Sequence, residues 1–210
     1  MIFQQGGVIK PLFLSEIELI MVKIGIFASG EGTNAQRFMD YFKSHKNITI
    51  SLIVTNNPKA KVIERAKAMG VPYLVIDKEA FYNSNKVVEE LKHKIDFIVL
   101  AGFMWMVPEN LIKAFHNKMV NVHPALLPAY GGKGMYGMHV HEAVIKNKEK
   151  NSGITIHYVN EHYDEGEIIF QKECTIQPSD TPQTLAKKIH QLEYEYYPQT
   201  VEKLLLGNMS

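Results

Sequence analysis

Strand-like and helix-like segments alternate from residue 22 onward, and this alternation constrains the fold more than any other feature of the sequence. Apolar residues occupy every second position over residues 22–28, as in a strand with one buried face. Helical spacing follows at once, with apolar side chains at Ala35, Phe38, Met39 and Phe42. Repeated strand–helix–strand order is typical of a parallel sheet covered by helices on both faces.

The middle of the chain continues the pattern. Further strands are predicted at residues 48–54, 73–76, 97–101 and 119–123. Helices are predicted at residues 62–69, where Gly70 ends the segment, at 84–94, and after Pro108, which suits a first helical turn.

The last third has a different character. Strands at 153–159 and 167–176 are separated only by a turn, which favours an antiparallel pair. A long helix over 181–206 places one apolar stripe on Leu185, Ile189, Leu192 and Tyr196. The sequence thus predicts an α/β fold: a doubly wound, mostly parallel twisted sheet with an antiparallel strand pair in the C-terminal half and a long C-terminal helix.

Length and composition predict one domain at residues 21–210 of the 210-residue chain, preceded by an N-terminal extension at residues 1–20. Residues 1–20 contain Pro11, Glu16 and Glu18, and they lack the pattern of a signal peptide or a membrane span. Met21 stands one residue before the first strand. We therefore expect Met21 to begin the functional domain, with residues 1–20 disordered or not native.

Charge and cysteine content exclude several classes of function. The formal net charge of +1 provides no field that would gather nucleic acid or an anionic membrane. Cys174 is the only cysteine, so neither a disulfide framework nor a thiolate zinc site is possible. His139 and His141 stand two apart with no further ligand motif, and no metal is expected. We predict a cytoplasmic protein, monomer or homodimer, with small-molecule partners and neither nucleic acid nor membrane.

A glycine-containing loop follows the first predicted strand. Ser29-Gly30-Glu31-Gly32-Thr33-Asn34 leads directly into the first helix. Glycines permit a tight turn, and the free N–H groups at a helix N-terminus attract an anion, most often phosphate. The spacing matches neither the nucleotide-triphosphate loop nor the dinucleotide fingerprint. A phosphate site and a plain tight turn both remain open at this stage.

Asn121 and His123 lie two apart on a predicted buried strand, so their side chains share one face. They also stand near the strand's carboxyl end, the edge at which open α/β sheets bind ligands. An amide donor beside an imidazole suits acyl chemistry, because one group stabilises an oxyanion and the other carries a proton. Asp164, in the turn between the late strands, would support a charged imidazole if the fold brought it near. Purely structural roles for all three residues remain open.

Several segments together resemble the phosphoribosylglycinamide formyltransferases, a folate-dependent formyltransferase family of purine synthesis. They are ASGEGTN (28–34), VLAGFMWMVP (99–108), VNVHPALLPAYGG (120–132), GMHVHEAV (137–144), GITIHYVNEHYDEGEII (153–169) and HQLEYEYYP (190–198). The resemblance implies a Rossmann-like transferase that moves the formyl group of 10-formyltetrahydrofolate to the amine of glycinamide ribonucleotide.

The resemblance also implies site residues. The catalytic group would be Asn121, His123 and Asp164. The ribotide would be bound by Gly30, Glu31, Gly32, Thr33, Asn34, Glu193 and His190. The folate co-substrate would be bound by Met104, Trp105, Met106, Val107, Asn121, Asn160 and Asp164.

The chain departs from the family pattern on the folate side. Trp105 stands where an arginine is frequent, and no arginine is found at residues 81–86. Lys78 and Lys86 are the candidates to replace these charges. His190 stands where a glutamine is common.

Three other functions are compatible with parts of this pattern. A methionyl-tRNA formyltransferase would need a further C-terminal domain and a basic surface for tRNA. A formyltetrahydrofolate hydrolase usually carries an N-terminal regulatory domain, for which twenty residues are too few. A non-catalytic module that binds folate or a nucleotide is the alternative from a different class.

Overall fold

The computed structural model describes residues 21–207 and arranges them around one seven-stranded sheet. The predicted extension at residues 1–20 lies outside the described residues. The strands are β1 (Val22–Phe27), β2 (Ile48–Thr55), β3 (Tyr73–Val75), β4 (Phe97–Leu100), β5 (Met119–His123), β6 (Asn151–Tyr158) and β7 (Ile168–Thr175).

Seven helices connect and cover the strands. They are α1 (Thr33–Phe42), α2 (Val62–Met69), α3 (Lys78–Tyr82), α4 (Lys86–Lys92), α5 (Glu109–Ala114), α6 (Met138–Lys146) and α7 (Pro182–Leu205).

The strand order is β3-β2-β1-β4-β5-β6-β7, and its first five strands are parallel. The order reverses between β1 and β4, and this reversal places the loops that follow both strands at one edge of the sheet. β6 runs antiparallel to β5, and β7 runs antiparallel to β6. The predicted doubly wound, mostly parallel sheet with an antiparallel pair is confirmed.

Two apolar layers bury the sheet. Buried side chains of α1, α2, α6 and α7 cover one face, and those of α3, α4 and α5 cover the other. Tyr197 on α7 is fully buried, and its one hydroxyl proton is shared between the carbonyls of Leu100 and Val120, which lie 3.0 and 3.1 Å from the hydroxyl oxygen. This shared hydrogen bond, of about 1 kcal/mol, attaches the last helix to the end of β4 and the start of β5.

The structure also differs from the predicted elements. Helices α3 and α6 were not predicted; α3 has only five residues and begins at the cap Asp77, whose carboxylate accepts from the Ala80 N–H. The predicted helix at 84–94 is shorter, and Pro108 precedes α5 as its N-cap residue instead of lying in its first turn.

The prediction of the buried stripe on α7 was only half right. Leu185 and Ile189 are buried as expected, but the stripe continues through Glu193 and Tyr197, while Leu192 and Tyr196 lie at its margin. On a helix with 3.6 residues per turn, a repeated four-residue step turns the stripe by about 40° each time, so the buried face winds around α7 instead of following one straight apolar line. The sequence did not reveal this step because a charged residue, Glu193, occupies one of its buried positions.

Gly32 closes the loop between β1 and α1 and is the N-cap residue of that helix, with a φ of 68°. A Cβ at this position would lie 2.5 Å from the Cβ of Val62 on α2. Both the left-handed backbone and the close approach therefore require glycine.

We expect Gly32→Ala to lower the free energy of unfolding by about 2 kcal/mol or more. The left-handed backbone is strained for alanine, and its Cβ would clash with Val62. Gly30→Ala is the matched control, since Gly30 is not left-handed and a Cβ there meets nothing within 4 Å. Urea unfolding of both variants measures the difference. Equal stabilities would contradict this account of the loop.

Candidate active site

The pairing of β5 with β6 assembles the centre of the candidate site. Asn121 and His123 lie on one face of β5, and Asn121 is the register partner of His157 on β6. His123 and His157 are each only 3% exposed. Two imidazoles and a carboxamide therefore meet in a largely dry environment, at the edge where the parallel strands end.

Asp164 completes this group from the turn between β6 and β7. Its Oδ2 lies 3.4 Å from Nδ1 of His123, and its Oδ1 lies 3.6 Å from Nε2 of His157. Asp164 lies 41 positions after His123 in the chain, so sequence spacing alone gave no reason for this contact. The fold brings together all three residues of the expected catalytic group.

The backbone around Asp164 is built to hold its carboxylate in place. Asp164 itself has a φ of 57°, and the Gly132 N–H donates to Oδ2 at 2.9 Å. A Cβ on Gly131 would lie 2.6 Å from Leu127 and 3.3 Å from the Cβ of Asp164. The glycine pair at 131 and 132 therefore lets the chain pass closely over the aspartate.

Electrostatics favour the charged form of Asp164. Burial acts to raise its pKa, but Nδ1 of His123, the positive charge of that ring and the Gly132 N–H outweigh burial. The pKa of Asp164 is consequently held well below its usual range. The carboxylate is a fixed negative charge between two imidazoles at any pH near neutrality.

His123 has its ring fixed at both nitrogens. Nε2 lies 2.8 Å from the backbone carbonyl of Tyr130, which can only accept, so Nε2 carries a proton. Nδ1 faces Asp164. A proton that arrives at Nδ1 is stabilised by the carboxylate, and the ring is thereby oriented to exchange protons at a fixed position.

His157 was not selected from the sequence. Its Nε2 lies 3.2 Å from Nδ2 of Asn121. The pairing of β5 with β6 is the only signal that could have pointed to His157. This histidine falls opposite Asn121 only when the register of those two strands is known.

A second group lies where the loop of residues 30–34 meets α7. The side-chain nitrogen of Asn34 donates to Oε2 of Glu193 at 2.8 Å. Glu193 is 6% exposed, and burial raises its pKa against the opposing effects of Asn34, His190 and His123. The expected substrate residues Asn34 and Glu193 are therefore brought together, with the N–H groups at the start of α1 beside them.

Two buried polar atoms near this group lack protein partners. Within residues 21–207, no hydrogen-bond partner is found for Oδ1 of Asn34 or for Nδ1 of His141. Buried polar atoms of this kind are uncommon and call for an explanation such as a polar ligand. His190 is exposed and stacks on Tyr194, with ring centroids 6.0 Å apart.

The expected folate residues form a third part of the edge. The segment after β4 turns at Gly102, which has a φ of 74°, and then exposes Met104 and Met106 while Val107 is buried. Trp105 packs against Phe81, Tyr82 and Phe103. The remaining expected residue, Asn160, uses its Oδ1 within its own turn, where it accepts from the His162 N–H.

No group of three or more His, Cys, Asp or Glu side chains in the described part of the chain is placed to hold a metal ion. Between residues 21 and 207, no helix combines the length and apolar character needed to cross a bilayer.

Comparison with known families agrees with this arrangement. A family model described as "Formyl transferase" matches residues 22–201, which include every element of the site. The chain belongs to the formyl transferase family. The chain is also similar to individual members of this family.

Three formyl transferase relatives share one name. The Bacillus subtilis phosphoribosylglycinamide formyltransferase is 36% identical over 88% of this chain and 95% of its own length. The chloroplastic phosphoribosylglycinamide formyltransferase of Arabidopsis thaliana is 38% identical over 85% of this chain, which spans only 64% of that longer relative. A crystal structure of phosphoribosylglycinamide formyltransferase from Bacillus halodurans is 41% identical, with a TM-score of 0.78 over 87% of this chain and 95% of that one.

The buried His141 of this formyl transferase predicts a pH-dependent stability. Burial, with the nearby His190 and His123, lowers the pKa of His141 to about 4 from 6.5. Between those values the unfolded chain binds a proton that the folded chain does not, so stability falls as the pH drops through this window. We expect the wild type to lose about 2 kcal/mol more than His141→Gln between pH 7.5 and 5.

Urea unfolding at the two pH values measures this difference. His139→Gln is the control, since His139 lies on the same helix with a side chain that is 62% exposed. The account fails if wild type and His141→Gln lose stability equally.

Proposed function

We propose that this chain transfers the formyl group of 10-formyltetrahydrofolate to the amine of glycinamide ribonucleotide, a step of purine (IMP) biosynthesis. The products are formylglycinamide ribonucleotide and tetrahydrofolate. The observation that carries the proposal is the meeting of Asn121, His123 and Asp164 at the sheet edge, beside a loop suited to phosphate. The names of the relatives support the same reaction.

The chemistry assigned to the centre follows from its groups. When the amine adds to the formyl carbon, negative charge develops on the formyl oxygen, and the Asn121 N–H is a neutral donor for it. The His123 ring contributes a positive charge and then delivers a proton to the folate nitrogen, directly or through water, as the bond from that nitrogen to the formyl carbon breaks. The proton that the attacking amine gives up restores the charged ring. Asp164 stabilises the charged ring and holds its orientation. No bond to the protein forms at any stage.

The phosphorylated substrate fits the second group. Backbone N–H groups of residues 30–34 bind the phosphate at the start of α1, where the helix dipole favours an anion. Glu193 and His190 on α7 face the sugar, and the unpartnered Oδ1 of Asn34 offers it an acceptor. This placement puts the substrate amine toward His123, whose charge acts on Glu193.

The folate fits the third group. Main-chain atoms of Met104, Trp105, Met106 and Val107 face its ring system on one side, with the Asn160–Asp164 loop on the other. Lys78 is the better of the two candidates for the glutamate tail, because its Nζ lies 5.9 Å from the centre of the Trp105 ring. Trp105 then supplies an apolar platform where related proteins carry a charge.

Two other functions remain as outcomes of the test. A hydrolase would pass the formyl group to water and has no use for a phosphate loop, and a binding module would have no use for a buried His–Asp pair. A cytoplasmic location stays a prediction from the sequence.

The proposed reaction is tested by following deformylation of 10-formyl-5,8-dideazafolate by absorbance, with and without glycinamide ribonucleotide. We expect turnover only when the ribotide is present. His123→Ala and Asp164→Asn should each reduce kcat roughly 10²- to 10⁴-fold, because the proton donor or its supporting charge is lost.

Circular dichroism and urea unfolding serve as controls that both variants fold. Turnover without the ribotide would identify a hydrolase. Folate binding with no turnover in the wild type would identify a binding module, and a near-wild-type rate in either variant would contradict the assigned roles.

Lys78 gives a separate prediction on the folate side. Lys78→Met should raise KM by about tenfold for a formyl folate that carries its glutamate tail. This corresponds to the loss of one partly exposed charge contact, worth roughly 1.4 kcal/mol. KM for the ribotide should not change. Lys86→Met is the matched control, and an equal effect of both substitutions would remove Lys78 from the folate site.

A further inference from the structure

His157 stands at an irregular position of the sheet. The β6–β7 register shifts between Ile156 and His157, and this shift changes the direction of the histidine relative to a regular strand. Gly166 on the returning chain passes so close that a Cβ there would lie 1.7 Å from the Tyr158 carbonyl oxygen. The ring is 97% buried and has little freedom to turn.

The tautomer of His157 follows from its contacts. Nδ1 lies 2.8 Å from the backbone carbonyl of Tyr158, which only accepts, so Nδ1 carries the proton. Nε2 lies 3.2 Å from Nδ2 of Asn121, and an amide nitrogen only donates. A neutral ring with an unprotonated Nε2 satisfies both contacts at once.

The neutral ring in turn decides which way the Asn121 carboxamide faces. With Nε2 as acceptor, the NH₂ end of the amide is bound at the ring, and its second N–H is held in a fixed direction. A ring that carried a proton on Nε2 would donate to the amide oxygen, and the carboxamide would have to turn by half a rotation. The acceptor and donor ends of Asn121 would then exchange places.

The charged neighbours of the ring are few. Asp164 Oδ1 lies 3.6 Å from Nε2, farther than Asn121, and His123 contacts the other carboxylate oxygen at 3.4 Å. The charge of Asp164 is thus shared with His123. Asn121 is left as the nearer partner of His157.

We infer that His157 is a positioning residue. By accepting one N–H of the Asn121 amide, it keeps the second N–H directed toward the developing oxyanion. This inference rests on the proposed formyl transfer, in which Asn121 supplies the donor. His157 acts only through Asn121 and does not itself touch the substrate. Its function requires an acceptor at the position of Nε2, whereas the Nδ1 contact serves only to fix the ring.

Two near-isosteric variants separate these contacts. In His157→Gln the side-chain carbonyl reaches the position of Nε2 and accepts from Asn121, but the Nδ1 contact is lost. In His157→Asn the amide reaches the position of Nδ1 and donates to Tyr158, but the acceptor is lost. We expect Gln to retain kcat within about threefold of wild type and Asn to lower kcat about 30-fold. This is less than the roughly 10²- to 10³-fold cost of removing an oxyanion donor outright, because Asn121 itself stays in place.

KM for the ribotide should be unchanged in both variants, because neither contacts the phosphate loop. A merely structural role for His157 predicts the opposite order, since Asn keeps the bond to Tyr158 and Gln does not. In an Asn121→Ala background, exchanging His157 for Asn should cause no further loss of kcat. Nitrogen-15 spectra of the labelled wild type should show a protonated Nδ1 and an unprotonated Nε2 at pH 7.5.

Equal rates for Gln and Asn, a higher rate for Asn, or a protonated Nε2 in the spectra would each overturn the inference. These outcomes require an active wild type and thus differ from a failure of the proposed function, in which the wild type shows no ribotide-dependent turnover. Urea midpoints of both variants confirm that the comparison is made between folded proteins.

Discussion

The antiparallel pairing of β5 with β6 is the interaction on which the rest of the site depends. It places Asn121 opposite His157 and His123 opposite Thr155, with both histidines on the same buried face. A register slip of one residue would turn these side chains to the other face of the sheet. The backbone hydrogen bonds between β5 and β6 therefore determine where the side chains of the candidate site lie.

Thr155 shows how the same register secures the strand that carries His123. Its hydroxyl donates to the Ala125 carbonyl at 2.7 Å and accepts from the Leu127 N–H at 2.9 Å, and Gln171 on β7 adds a third contact. The chain that leaves β5 is thus tied to β6 for several residues. The Tyr130 carbonyl, which fixes His123, lies at the end of this tied segment. A buried polar network with its partners in place specifies one arrangement and disfavours others.

The sequence predicted the fold well where one residue pattern determined one element. The apolar repeats of β1, α1, β2 and α2 are local, and the structure has each of them at nearly the expected positions. Helix α6 was missed because glycines precede it, and α3 because five residues carry too little periodicity. Asn121 and His123 could be paired because they share a strand.

The contacts of Asp164 and His157 could not be predicted in the same way. Asp164 reaches His123 across a turn in left-handed backbone, and His157 reaches Asn121 through strand register and a local bulge. Both depend on where distant segments meet, and no spacing in the chain encodes this. Asp164 was a candidate from its turn position and the resemblance implied its role, whereas neither pointed to His157.

The hydrogen bond between Asn34 and Glu193 joins two residues that are 159 positions apart, one in the first loop and one on the last helix. A ribosome that has made the sheet but not yet α7 has therefore made only half of the proposed substrate site. The nascent chain then has the loop of residues 30–34 but not the helix that this loop contacts. Synthesis of the final helix thus completes both the proposed substrate site and the apolar layer on that face of the sheet, since Leu185, Ile189 and Tyr197 are buried there.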